Sequence, residues 1–207
     1  MKKDLENYAE IILFECLKLK KEEPLFIQAP LERYDFVRIV CNKAYEYGIK
    51  DIHLRLIDEY IKHDKLKNLS YEELIKDDYF RANKLSEYAS KHAAVLSLVA
   101  EYPGLMDDVD PKKTNAISKL MAEDAKTYYD MVNKNELAWC IAAVPSNDWA
   151  NKMFNNEVDA LDKLWRIILD MCLITTKDPK KTLNDKIKIS HELAAVAEQA
   201  AARHGEL

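Results

Sequence analysis

Residues 23–59 read EPLFIQAPLERYDFVRIVCNKAYEYGIKDIHLRLIDE, and this stretch decides the fold. Pro24-Leu25-Phe26-Ile27-Gln28-Ala29-Pro30 is a short apolar run bounded by prolines and rich in strand formers, the pattern of a buried strand in a parallel sheet. Tyr34, Val37, Ile39, Val40, Ala44 and Tyr47 then recur at helical spacing, and Gly48 stands where a helix needs a left-handed cap. Ile52-His53-Leu54-Arg55-Leu56 resumes with strict alternation. The stretch is a β-α-β unit, whose crossover helix must lie on one face of a parallel pair and leaves apolar surface for further strands and helices to cover.

Outward from this unit the same grammar repeats. Leu5, Tyr8, Ile12, Leu13, Cys16 and Leu17 mark an amphipathic helix over residues 4–19. Residues 58–68 are polar, a loop or a short exposed helix. Ser70-Tyr71-Glu72-Glu73 has the spacing of a capping box, opening a helical pattern through Tyr88 with a break near Asp77-Asp78. Residues 93–100 are a third, buried strand, and Asp110-Pro111 begins a long helix reaching about Asn133.

Residues 138–144 are a fourth strand, Ser146 caps the next helix, and Val158, Leu161, Leu164, Trp165, Ile168 and Met171 give another. Asp178-Pro179 starts a last helix whose end, Leu193 to Arg203, is nearly all alanine with Glu and Gln before Gly205. The expected fold class is α/β: an open, mostly parallel sheet of about four strands in the order 2-1-3-4, helices on both faces, and a C-terminal helical segment. The expected division is an α/β domain over residues 1–178 and an Ala-rich helix over 179–207 that docks loosely or awaits a partner.

Composition excludes several functions. A net charge of -5 argues against a nucleic-acid protein, which needs a basic stripe to neutralise phosphates. With only Gly48, Gly104 and Gly205, neither a G-x-G-x-x-G nor a G-x-x-x-x-G-K-[ST] loop can be written. The charged start Met1 to Glu6 does not read as a signal peptide and no apolar run reaches the ~18 residues a membrane span requires, so a cytoplasmic location is expected. Cys16, Cys41, Cys140 and Cys172 are scattered through apolar stretches, which suits reduced core thiols without close pairing.

The residues in order also carry a resemblance. Pro24 to Pro30 with Leu31-Glu32, Lys43-Ala44-Tyr45 before Gly48, Ala93-Ala94-Val95-Leu96-Ser97, and above all Trp139-Cys140-Ile141-Ala142-Ala143-Val144-Pro145 with Trp149-Ala150 resemble the N-terminal domain of the thermophilic metallo-aminopeptidases, the aminopeptidase T and aminopeptidase S type. Lys163-Leu164-Trp165 and Asp178-Pro179 continue the match, which spans roughly residues 5–180. It decays where the family shows a Trp and a His and this chain has Leu183 and Lys186. The resemblance implies dimers that remove N-terminal residues from peptides using two divalent metals, zinc or cobalt, held by carboxylates and histidines of a C-terminal domain outside this sequence. No residue here matches a metal ligand of that family, and no catalytic residue is carried over.

The residues themselves agree. His191-Glu192 begins like H-E-x-x-H, but Ala195 occupies the second histidine position. His53 reads as a packed strand histidine; His63, His92 and His204 lack partners at ligand spacing, and Ser97 has no G-x-S-x-G around it. In open α/β sheets the binding crevice lies at the carboxyl ends of the strands, which singles out Asp58, Glu59, Glu101, Tyr102, Ser146, Asn147 and Trp149 as a substrate rim. The functional reading is an aminopeptidase-like N-terminal domain, inactive alone, that serves as scaffold, dimer contact and wall of a peptide chamber. The alternative is a non-catalytic interaction module derived from it. A third reading, a small enzyme of another class, requires one pocket lined by Glu101, Tyr102 and Trp149.

Overall fold

A computed structural model of the chain describes residues 1–204, and the side-chain surroundings of residues 1–194. In chain order the elements are α1 (Lys2–Glu10), a π-helical segment (Ile11–Cys16), β1 (Leu25–Pro30), α2 (Tyr34–Tyr47), β2 (Ile52–Ile57), α3 (Glu59–Asn68), α4 (Tyr71–Leu74) and α5 (Asn83–Ser90). There follow β3 (Ala94–Val99), α6 (Pro111–Asp124), α7 (Lys126–Asn133), β4 (Trp139–Ala143), α8 (Asn147–Met153), α9 (Ala160–Met171) and α10 (Pro179–His204).

The four strands form one sheet in the order β2-β1-β3-β4, and every neighbouring pair is parallel. Phe26 lies opposite His53 on one side and Val95 on the other, and Val95 opposite Trp139, so these positions share a face. Leu25, Ile27, Ala29, Leu96 and Ala142 occupy the other face, buried under α1, α2, α8 and α9 in the main core with Phe36, Val40, Leu164 and Trp165. Phe26 and Val95 meet Ala89 of α5 and Tyr128 of α7 in a smaller cluster. A third cluster, Leu66, Leu74, Phe80, Val109 and Ile117, lies beneath α3, α4 and α6.

The local signals act as read. Gly48 closes α2 at φ +113°, a conformation costly for any residue with a Cβ. Ser70 and Glu73 complete a reciprocal capping box, and Asp110 caps α6 with proline behind it.

Two expectations need correction. The helix expected over residues 4–19 is α-helical only to Glu10; it then widens into a π turn, with Leu17 N–H donating to Ile12 C=O at 2.9 Å, and ends at Lys18 with φ +51°. The long helix from Pro111 breaks at Ala125, whose ψ of +12° leaves the helical region and turns α7 onto the second cluster. Cys16, Cys41, Cys140 and Cys172 are all free thiols. Residues 58–68 resolve as the helix α3, capped by Asp58. The first turns of α10 hold to the π segment through Lys180 and Asn184, both on Glu15 at 2.7 and 3.4 Å; Gly205 lies outside the described residues.

Candidate functional site

The carboxyl ends of β1 to β4 open at one end of the sheet, and the loops that leave them build the site. At β2, Asp58 turns its carboxylate back to accept from Tyr60 N–H (3.0 Å) and Ile61 N–H (3.1 Å), starting α3 and presenting Glu59 and Tyr60. Tyr79 clamps the same turn: its hydroxyl donates to Asp58 C=O (2.6 Å) and accepts from Asp58 N–H (3.1 Å). At β4, Ser146 is fully buried; its hydroxyl donates to Glu101 C=O and accepts from Trp149 N–H at 3.0 Å, which fastens the β3 and β4 loops together.

Tyr102 and Tyr60 then face each other edge-on, with ring centroids 6.0 Å apart. Burial, and after it the nearby Glu32 carboxylate, push the Tyr102 pKa well up. Tyr60 is pushed up to about 12, first by burial and then by its hydrogen bond to Asp148. Both phenols are therefore neutral donors around pH 7. Glu59, Tyr102, Gln28, Pro30, Ile57 and Val99 line a small cleft of about 110 Å³ at this end of the sheet.

Beside the cleft sits a pair that the strand-end argument omitted, Glu32 and Arg33. Glu32 Oε2 accepts from Asn147 N–H at 3.2 Å and, at a long 3.5 Å, from Arg33 Nη2. The Arg33 side chain is only 8% exposed. Its Nε, and Glu32 Oε1, are buried and make no hydrogen bond to another residue. The signal was available: Glu32 stands two residues after Pro30, just beyond the end of a central strand, the same relation that singled out the other strand ends. Tyr60 and Asp148, one residue from named positions, were missed in the same way.

The structure brings Glu59, Tyr102 and Asn147 to one crevice. Asp58 and Ser146 are consumed as caps, Glu101 takes part through its carbonyl, and the Trp149 ring packs against the main core. The single pocket required of Glu101, Tyr102 and Trp149 is therefore not formed: Tyr102 lines the cleft without the other two.

Chemically the crevice offers carboxylate acceptors and neutral phenol donors, a set that binds ammonium and amide groups and contains no nucleophile paired with a base. Among the described residues no group of three or more His, Cys, Asp and Glu could hold a metal ion. His53 packs against both Phe26 (5.1 Å) and Tyr88 (4.8 Å), which also touch each other (5.6 Å), and His63 lies between Asp64 (3.0 Å) and Asp108 (2.8 Å). The donor set here does not fit a two-metal centre.

Comparison with known proteins gives the context. The sequence model of the family described as thermophilic metalloprotease (M29) matches residues 1–203. The chain is 32% identical over 179 residues to Aminopeptidase 2 of Geobacillus stearothermophilus, covering 86% of this chain and 43% of that protein. It is 24% identical over 196 residues to Aminopeptidase T of Thermus thermophilus, covering 94% and 48%. A solved structure of wild-type AmpT from Thermus thermophilus superposes with a TM-score of 0.73 at 25% identity, over 81% of this chain and 43% of that one. The chain thus spans less than half the length of the curated relatives it matches.

Proposed function

The chain belongs to the thermophilic metalloprotease (M29) family, in which it corresponds to the N-terminal domain of the aminopeptidases, and on that premise we propose that its own role is non-catalytic. It is scaffold, dimer contact and one wall of the chamber in which a metal-dependent aminopeptidase removes N-terminal residues from peptides. The two divalent metals, zinc or cobalt, would be held by residues outside those described here. They would supply activated water, and the crevice of Glu32, Glu59, Tyr60 and Tyr102 would receive peptide amide or ammonium groups. A cytoplasmic location, with no membrane or nucleic-acid partner, belongs to the same proposal.

One observation carries the scaffold reading. Val99, Trp139 and Ile141 lie on one face of the β3-β4 edge and are 45%, 46% and 59% exposed, because α5 and α7 do not reach across β4. An apolar strip on a strand that already ends the sheet is a surface built to be covered. The test has two parts. The purified chain, incubated with zinc or cobalt, should release no leucine from a leucine arylamide, and it should self-associate through this strip. Metal-dependent turnover would overturn the non-catalytic role; a monomer at high concentration would overturn the contact role.

The second reading, an interaction module without any peptide chamber, rests on the same strip. It predicts that a leucyl peptide leaves the NMR signals of Glu59, Tyr60 and Tyr102 unmoved, where the first predicts that they shift.

A further inference from the structure

A row of polar side chains crosses the sheet where apolar ones are expected. Two residues on from His53, Phe26 and Val95, and on the same face, Arg55 of β2, Gln28 of β1 and Ser97 of β3 stand in register, all three half-buried. Gln28 is the one residue of β1 that is not fully buried. Parallel sheets are normally covered by apolar contacts on both faces. Here α5 and α7 cover Phe26 and Val95, while the cluster under α3, α4 and α6 includes no strand residue, so neither cluster closes over the polar row.

Arg55 carries the charge of this row. Its Nη1 donates to Gln28 Oε1 at 2.8 Å, and among the described residues it makes no ion pair and no other hydrogen bond. Asp124, which acts on it from farther off, is bonded by Arg81 at 2.7 and 2.5 Å, and the Tyr79 hydroxyl is bonded to the Asp58 backbone. Burial lowers the Arg55 pKa from its ordinary value, and Tyr79 and then Asp124 offset that only in part. A half-buried guanidinium thus keeps most of its N–H donors without a counter-ion, a costly arrangement that a bound carboxylate would relieve. With Oε1 taken, neither Gln28 Nε2 nor the Ser97 hydroxyl makes a hydrogen bond among the described residues.

Gln28 also lines the cleft of about 110 Å³ with Ile57, Glu59, Val99 and Tyr102. The row therefore lies about 6–7 Å along the strands from Ile57, deeper than the acidic mouth formed by Glu32 and Glu59. We propose that Arg55, Gln28 and Ser97 form a subsite for the C-terminal carboxylate of a short peptide. The planar guanidinium can offer paired N–H donors to the two carboxylate oxygens, and the Gln28 amide and Ser97 hydroxyl supply further donors. Ile57 and Val99 give the last side chain an apolar wall. At about 3.5 Å per extended residue, a di- or tripeptide reaches from this row to the acidic mouth. The inference adds a subsite to the crevice proposed above and rests on that reading only for the ligand being a peptide.

The experiment is an NMR titration of the isotope-labelled chain, read at the Arg55 Nε–H and Gln28 side-chain amide signals. N-acetylglycylleucine, a peptide with a carboxylate and no ammonium, should shift both signals to saturation. Its C-terminal amide, and acetate at the same concentration, should leave them in place. Arg55→Gln should weaken binding at least about tenfold, the loss expected when a hydrogen-bonded charge is removed. No shift with the acid, an equal shift with the amide or with acetate, or unchanged affinity in Arg55→Gln would each overturn the inference. The three wild-type titrations decide it even if the variant fails to fold. Leucinamide, an ammonium without a carboxylate, tests the acidic mouth by itself. A response to it at Glu59 and Tyr102 with none to the acid at Arg55 would overturn this inference and leave the crevice reading standing; the reverse pattern would support the inference and count against that reading.

Discussion

Tyr60 and Tyr102, from the segments after β2 and β3, meet edge-to-face at 88° across the mouth of the sheet, and a carboxylate from a further segment, Asp148 for the first and Glu32 for the second, raises the pKa of each phenol. Two segments are thereby joined by one ring pair. Tyr102→Phe keeps that contact, whereas Tyr102→Ala deletes it and should cost about 0.5–1.5 kcal/mol more than Tyr102→Phe in urea unfolding, beyond the loss of buried area. Equal midpoints for the two variants would mean that the segments do not depend on this pair.

Tyr60 provides a pH test. Its pKa is raised to about 12 from the usual 10 for a tyrosine, so the folded chain holds a proton that the unfolded chain releases first; stability falls as pH rises from 10 towards 12. Because burial is the larger cause and the Asp148 hydrogen bond the second, Asp148→Asn should lower the value only in part in a spectrophotometric titration. A full return to the ordinary value would reverse that order.

His63 and Asp108 form an exposed bridge that titrates at two ends. Asp108 is held down to about 2, first by Lys67 and then by His63; its contribution is present above the ordinary carboxylate pKa and is lost as pH falls towards 2. His63 is raised, first by Asp108 and then by Asp64, so its contribution is present below about 6.5 and is lost as pH rises through its folded value. An NMR titration should place the ring above an ordinary histidine, and Asp108→Asn should bring it down. Added salt should shrink the shift, since the bridge is open to solvent.

Two backbone devices have separable costs. Gly48→Ala meets no atom within 4 Å, so its penalty is purely conformational, about 1 kcal/mol for a Cβ at φ +113°. Ser70→Ala removes half of the capping box and should cost about 1 kcal/mol as well. The sites share no element, so the double variant should lose the sum; a smaller loss would show that α4 was already frayed.

Ile141→Glu puts a charge on the exposed apolar strip without disturbing a buried contact, and stability should change by less than about 0.5 kcal/mol. Sedimentation equilibrium should then show the wild-type chain associating with concentration and the variant remaining monomeric. Equal behaviour of the two would remove the strip from the interface.

Most of the architecture was legible because it is written in local patterns. Prolines at both ends of β1, the glycine after Tyr47, and aspartate before proline at 110–111 each act within a few residues; the order 2-1-3-4, which no local pattern dictates, is the order observed. The π turn was not legible, since Ile11 to Cys16 carries the same apolar spacing whether the backbone closes on the fourth or the fifth residue. The break at Ala125 has no glycine or proline to announce it. Glu32 and Arg33 are a different case, legible by the strand-end rule but left out of its use.

The order of the strands in the sheet has a consequence for synthesis on the ribosome. β1, the first strand to emerge, ends in the middle of the sheet, with β2 on one side and β3 on the other. Once β2 is made, the β-α-β unit can pair, but the other edge of β1, a strand buried along nearly its whole length in the finished molecule, stays bare until β3 is translated. From the end of β2 at Ile57 to the end of β3 at Val99, that interval is about 2–8 s at ordinary elongation rates. A nascent chain arrested in this window would present Leu25, Phe26 and Ile27 on an open strand edge, and this is the moment at which the protein most needs a chaperone.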